Sequence, residues 1–167
     1  MTNSDSRVAV YTGSFDPITL GHLNVIERCS RLVDRLIVGI GVNIEKQSLF
    51  SPEERVELVW QATRTLKNVE VRSFSGLAVS FVRECGARVL LRGVRSLGDI
   101  EAEFTMTMAN RKLDPAIETI FLMADDQYSH VSSSLIKQIA LLATDEELAR
   151  FVPPEIVAAI RAKMQHG

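Results

Sequence analysis

With 167 residues and 46% hydrophobic content, the chain is long enough for one sizeable core and too short for several, so a single domain over residues 1–167 is expected. A formal net charge of −2 supplies no general field for nucleic acid and points to a small-molecule partner instead. Met1–Arg7 lacks a basic-plus-apolar signal pattern and the apolar runs fall well short of the ~20 residues a membrane span needs, which predicts a cytoplasmic protein with no membrane partner.

In chain order, short β-branched runs alternate with amphipathic stretches, the pattern of βα units feeding a parallel sheet and hence of the α/β class. Five strands are predicted at Arg7–Tyr11, Arg35–Val42, Val69–Phe74, Val89–Arg92 and Glu118–Met123, each apolar enough to be buried on both faces. Helices are predicted between them at His22–Val33, Pro52–Leu66, Leu77–Cys85 and Gly98–Leu113. Ser51-Pro52-Glu53-Glu54 marks one helix start by its capping box, and Gly86 marks a stop. The remainder reads as helical: Ser132–Ala143, Glu146–Phe151, and Pro154 to about Met164. Cys29 and Cys85 lie far apart among apolar residues without metal-ligand spacing and read as reduced core thiols.

Ligands of parallel sheets collect at the carboxyl ends of the strands, where this chain carries its polar and Gly-rich segments. The first, Gly13–His22, turns from a strand into a helix start whose backbone N–H groups suit an anion, with His22 beside them. Lys46 follows the second strand, Arg92 and Arg95 flank the turn after the fourth, and Ser132-Ser133-Ser134 open a helix after the fifth. Arginine forks and hydroxyl-lined helix starts both hold phosphate oxygens. Each also has a plainer reading: a capping or packed His22, a solvated Lys46 and an ordinary serine cap. The pair Glu101/Glu103 following Asp99 reads either as a metal site or as a solvated helix face, the latter favoured for Glu101. Neither a P-loop nor G-x-G-x-x-G follows the first strand, and no nucleophile elbow is present, which removes the kinase, dinucleotide-dehydrogenase and acyl-enzyme readings.

Thr19-Leu20-Gly21-His22 matches the (H/T)-x-G-H signature, and Ser132–Ser134 resembles the downstream serine-rich signature, of the nucleotidyltransferase α/β-phosphodiesterase superfamily. Within it the chain resembles the bacterial phosphopantetheine adenylyltransferases from about Val8 to Ala162. The match runs in order through G-S-F-D-P-I-T-x-G-H, Lys46, F-x-x-E-E-R-V at Phe50–Val56, R-G-x-R at Arg92–Arg95, D-x-E-x-E at Asp99–Glu103, Asn110-Arg111 and Y-S-x-V-S-S-S at Tyr128–Ser134. It departs at Thr12, Ile44, Ile100, Ala102 and His130, none of which removes a phosphate-binding group.

The resemblance implies a Rossmann-like three-layer domain with a five-stranded parallel sheet and C-terminal helices. It implies adenylyl transfer from ATP, with Mg2+, to 4′-phosphopantetheine, by a cytoplasmic homohexamer that binds no nucleic acid. By resemblance, His22, Lys46 and Arg95 are the catalytic residues, and Ser14, Lys46, Ala78 and Arg92 hold the acceptor. The ATP site is implied at Ser14, Phe15, His22, Gly93, Val94, Arg95, Glu103, Tyr128, Ser129, His130, Val131, Ser132, Ser133 and Ser134, with no all-protein metal cage. His130 stands where the family has an aromatic, either packing there or carrying charge beside the polyphosphate. The other readings are a superfamily transferase acting on nicotinate mononucleotide or glycerol 3-phosphate, and a non-catalytic nucleotide sensor.

Overall fold

A computed structural model describes residues 6–43 and 47–165. They run β1 (Val8–Gly13), α1 (Leu20–Ser30), β2 (Arg35–Gly41), α2 (Pro52–Thr63), β3 (Val69–Phe74), α3 (Ala78–Glu84), β4 (Val89–Val94), α4 (Leu97–Leu113), β5 (Glu118–Met123), a 3-10 turn at Asp126–Tyr128, α5 (Ser133–Ile139), α6 (Asp145–Leu148) and α7 (Pro154–Gln165). All five strands are parallel, in the order β3-β2-β1-β4-β5. From β1 the chain winds outward to β3, then returns past β1 to β4 and β5. Loops leaving β1 and β4 therefore diverge and open a crevice at the carboxyl ends of those strands.

Strand alternation divides the core between the two faces of the sheet. Ala9, Tyr11, Leu36, Val38 and Ile40 pack with Val25 and Ile26 of α1, Leu58 and Val59 of α2 and Ile156 and Ile160 of α7. Val10, Ile37 and Leu90 pack on the opposite face against Val79, Phe81 and Val82 of α3. The result is the three-layer α/β Rossmann-like fold, and burial on both faces explains why β1, β2 and the first half of β4 read as nearly continuous apolar runs. The edge strands β3 and β5 depart from the expected burial on both faces: each has a single neighbouring strand, and neither contains a fully buried residue. Gly39 of β2 admits the Phe81 ring, which would lie 2.6 Å from a Cβ added there.

Several boundaries differ from the predicted ones for local reasons. β1 and β4 each run two residues further, because Thr12 and Gly13 stay in register with β2 and Gly93 and Val94 with β5 despite their polar or small side chains. α1 starts at Leu20 rather than His22, since Thr19 is its cap. α2 starts at Pro52 as predicted, on the Ser51–Glu54 capping box. α5 stops at Ile139, where Arg161 donates to the Ala140 and Ala143 carbonyls, and Thr144 then caps α6.

The outer layer formed by α4 and β5 is unusually apolar. Of α4 only Asn110 is buried, while Leu97, Phe104, Met106 and Met108 are more than half exposed, and the edge strand β5 exposes Ile120 and Met123. Among the described residues, no helix is long and apolar enough to cross a membrane.

Candidate active site

The corner between β1 and α1 is held from three directions. After Gly13 the backbone passes through Phe15 in the left-handed region (φ 47°) and a cis Asp16-Pro17 peptide into α1. Asp16 is buried, accepts the amides of Leu49 (2.9 Å) and Phe50 (2.8 Å), and pairs with Lys137 of α5 at 2.6 Å. Arg55 of α2, also buried, donates to the carbonyls of Ser14 (2.9 Å) and Gly41 (3.2 Å), joining the ends of β1 and β2. Ser133 completes the anchorage, its hydroxyl donating to the Pro17 carbonyl at 2.8 Å. Buried charges survive because they are bonded in this way.

His22 is the third residue of α1. Its Nδ1 accepts the Thr19 amide at 3.1 Å, while the Thr19 hydroxyl accepts the His22 amide at 3.3 Å, a capping box with imidazole in place of the usual carboxylate or carboxamide. The imidazole meets Phe15 edge-on at 4.9 Å, and Phe15 meets Tyr11 likewise at 5.3 Å. Burial, followed by the nearby Arg95 and Arg92 charges, pushes His22 down to about 4, so it is neutral at physiological pH. Burial also pushes the Tyr11 hydroxyl up, keeping it protonated.

Two cavities open side by side at this corner. The first, of about 290 Å³, is lined by Tyr11, His22, Arg95, Asp99 and Glu103, with Gly93 and Val94 on one wall and Val131–Ser134 on another. The second, of about 580 Å³, runs from Ser14 and Arg92 along Phe74, Leu77, Ala78 and Met106. Ala102 and Glu103 of α4 border both.

At that border Arg92 donates to both Glu103 oxygens (2.8 and 2.6 Å) and to the carbonyl and hydroxyl of Thr12 (2.6 and 3.0 Å). These four bonds commit four of its five N–H donors. Arg95 is held similarly, by both Asp99 oxygens and by the Val131 carbonyl at 2.9 Å. Burial pushes the Asp99 carboxyl up, but the Arg95 bonds outweigh it and hold Asp99 below the usual carboxylate range.

The serines divide their work: Ser132 caps α5, Ser133 reaches Pro17, and Ser134 is exposed on the cavity wall. Phe15 lies behind the cavity as a buried wedge. Tyr128, Ser129 and His130 line neither cavity, and the exposed His130 ring stands edge-on to Phe151 at 5.9 Å. Lys46 lies outside the described residues. Sequence reasoning did not single out Asp16 or Arg55. For Arg55 a signal existed, since it shares the inward i, i+3, i+4 stripe with Leu58 and Val59.

A parallel sheet that delivers T-x-G-H and R-G-x-R to two adjoining cavities defines a nucleotidyltransferase, and the cytidylyltransferase-like family model matches residues 10–139. The chain belongs to the phosphopantetheine adenylyltransferase family, being 61% identical over 158 residues to the Rhodopirellula baltica phosphopantetheine adenylyltransferase, across 94% of this chain and 88% of that one. A Clostridium botulinum phosphopantetheine adenylyltransferase is 49% identical over 154 residues, covering 92% of this chain and 96% of its own. The fold is also similar to the Plasmodium falciparum nicotinic acid mononucleotide adenylyltransferase complexed with NaAD (TM-score 0.71, 12% identity, covering 94% and 95% of the two chains).

Proposed function

We propose that the protein transfers the adenylyl group of ATP to 4′-phosphopantetheine, releasing pyrophosphate and forming dephospho-coenzyme A, as one cytoplasmic domain. The observation that carries this reading is the pairing of a small polar cavity with a larger apolar one across the Arg92–Glu103 bridge. A nucleoside triphosphate suits the first, with His22, Arg95 and the serines around its phosphates. An extended pantetheine arm suits the second, whose Phe74, Leu77, Ala78 and Met106 are apolar and whose charged end is Arg92.

In the reaction an oxygen of the acceptor phosphate attacks the α-phosphorus in line, and the bond to the β-phosphate bridging oxygen breaks on the opposite side. No enzyme nucleophile is needed, so catalysis consists of positioning and charge stabilisation. His22 steadies charge growing on the α-phosphate, Arg95 and Ser132–Ser134 serve the departing pyrophosphate, and Arg92, Lys46 and Ser14 steer the acceptor phosphate. Phe15 supports His22 from behind, while Gly93, Val94, Glu103 and Val131 enclose the nucleoside. Among the described residues no three His, Cys, Asp or Glu side chains form a metal-ligand group. Asp99 and Glu103 are engaged by arginines, so Mg2+ would be held chiefly by the triphosphate oxygens and would neutralise part of their charge. The apolar α4–β5 face supports self-assembly, to a homohexamer by family resemblance.

The test is pyrophosphate release with Mg2+ and ATP over a panel of phosphorylated acceptors. Turnover should be highest on phosphopantetheine by kcat/KM; a preference for nicotinate mononucleotide or glycerol 3-phosphate overturns the assignment, and ATP binding without release makes the protein a sensor. Phe104→Glu on the exposed face should lower the sedimentation coefficient if that face joins copies.

A further inference from the structure

A capping box at a helix start uses an oxygen acceptor at the third position to take the N-cap amide. In α1 that acceptor is a ring nitrogen. Two donors converge on His22 Nδ1: the Thr19 amide at 3.1 Å and the Thr19 hydroxyl, also at 3.1 Å, whose own oxygen receives the His22 amide. A backbone N–H can only donate, so Nδ1 must present its lone pair. A proton on Nδ1 would face that N–H and break the cap.

We infer that the capping box locks His22 in the neutral Nε2–H tautomer, so that it serves the reaction as an uncharged hydrogen-bond donor rather than as an imidazolium, with Thr19 as its positioning residue. The inference rests on reading the first cavity as the nucleotide site. Nδ1 is occupied by Thr19, and Nε2 is the ring nitrogen without a partner among the described residues, on a side chain that lines the cavity. The charged surroundings agree. Arg92 of β4 and Arg95 beyond it place two cations nearby, the Tyr11 hydroxyl from β1 stays protonated, and Asp99 and Glu103 of α4 give their charge to the two arginines. The positive end of α1 adds a further penalty against a cation at this position. Phe15, edge-on to the ring, fixes its plane. The positive charge of the site thus belongs to the arginines, and His22 contributes direction: one N–H aimed from a clamped ring, its proton retained throughout.

Two experiments test this on the full chain. In histidine-labelled protein without ligands, 15N NMR, assigned by loss of the signal in His22→Gln, should show Nδ1 unprotonated and Nε2 protonated from about pH 5 to 8. Kinetically, His22→Gln keeps both an oxygen to cap Thr19 and an N–H to donate, and should lose about tenfold in kcat. His22→Glu keeps only the cap and should fall as far as His22→Ala, by about 10²–10³. A protonated Nδ1 at neutral pH, or a folded His22→Gln as impaired as His22→Ala, overturns the inference. Absence of adenylyl transfer by the unaltered protein would instead remove the functional reading and leave the NMR result standing.

Discussion

The two cavities that meet at Glu103 are built differently. In the smaller one nearly every polar group is held by another part of the protein: His22 by Thr19, Arg95 by Asp99 and the Val131 carbonyl, Ser133 by the Pro17 carbonyl. The larger one has apolar walls and concentrates its charge at the Arg92 end. Fixed dipoles and charges stabilise a transition state without having to reorganise, whereas an apolar trough gains affinity from contact area and tolerates adjustment. On the proposed reading, one cavity serves the chemistry and the other grips the acceptor.

The sharpest way to break this difference is to remove what holds the corner rigid. Asp16→Ala leaves Lys137 without its carboxylate and two amides without an acceptor, and should cost about 3–5 kcal/mol of stability. A urea titration reads this directly, and a loss under 1 kcal/mol would show that the anchorage is incidental. Next in size, His22→Ala should lower kcat by about 10²–10³ with little change in either KM. Its loss should not be matched by any single alanine on the apolar wall of the second cavity, and steady-state kinetics of His22→Ala beside Leu77→Ala would decide.

Acid separates His22 from its surroundings in another way. The folded state holds it near 4 and the unfolded chain near 6.5, so between these values the unfolded chain binds more protons. Stability should therefore fall as pH drops from 6.5 towards 4, by up to about 3 kcal/mol from this residue. The His22→Gln variant should lose less over that window in parallel urea titrations, and an identical loss would assign the effect elsewhere.

Smaller again is the division between the arginines. Arg92→Ala should weaken acceptor binding and Arg95→Ala should weaken ATP binding, each by about tenfold to a hundredfold, as for loss of a charge-assisted contact. Calorimetry with both ligands on both variants tests this, and equal losses in all four titrations would merge the cavities into one site. Least of all, His130→Phe should leave ATP affinity and its pH dependence unchanged, because the ring packs on Phe151 outside both cavities. A flattened pH profile in that variant would restore a charge role to His130.

The central strands were legible because burial on both faces leaves an apolar run that no surface residue interrupts, as in Leu36–Ile40. The last residues of β1 and β4 were not, since Thr12 is polar, Gly13 and Gly93 are glycines, and only pairing with β2 and β5 makes these ends strand. T-x-G-H and R-G-x-R were readable as motifs because their residues are neighbours in the chain. The start of α1 was obscured because histidine is not the residue expected to close a capping box. Asp16 and Arg55 were harder still: their partners are main-chain groups from distant segments, which carry no mark in a sequence. The separation into two cavities depends on which side of β4 each arginine leaves, and spacing alone does not fix that.

Asp16 also bears on the order in which the molecule comes together. Its amide partners lie 33 and 34 residues along the chain, and Lys137 lies beyond the last strand. Contacts between segments so distant are entropically costly to close early, so the sheet and its first helices can form while this carboxylate is still in water. Its bonds then belong to the native state more than to the folding transition state. Asp16→Asn should accordingly speed unfolding while hardly slowing refolding. The site would be the last part of the protein to assemble and the first to open, which makes its lifetime, rather than that of the sheet, the clock for inactivation.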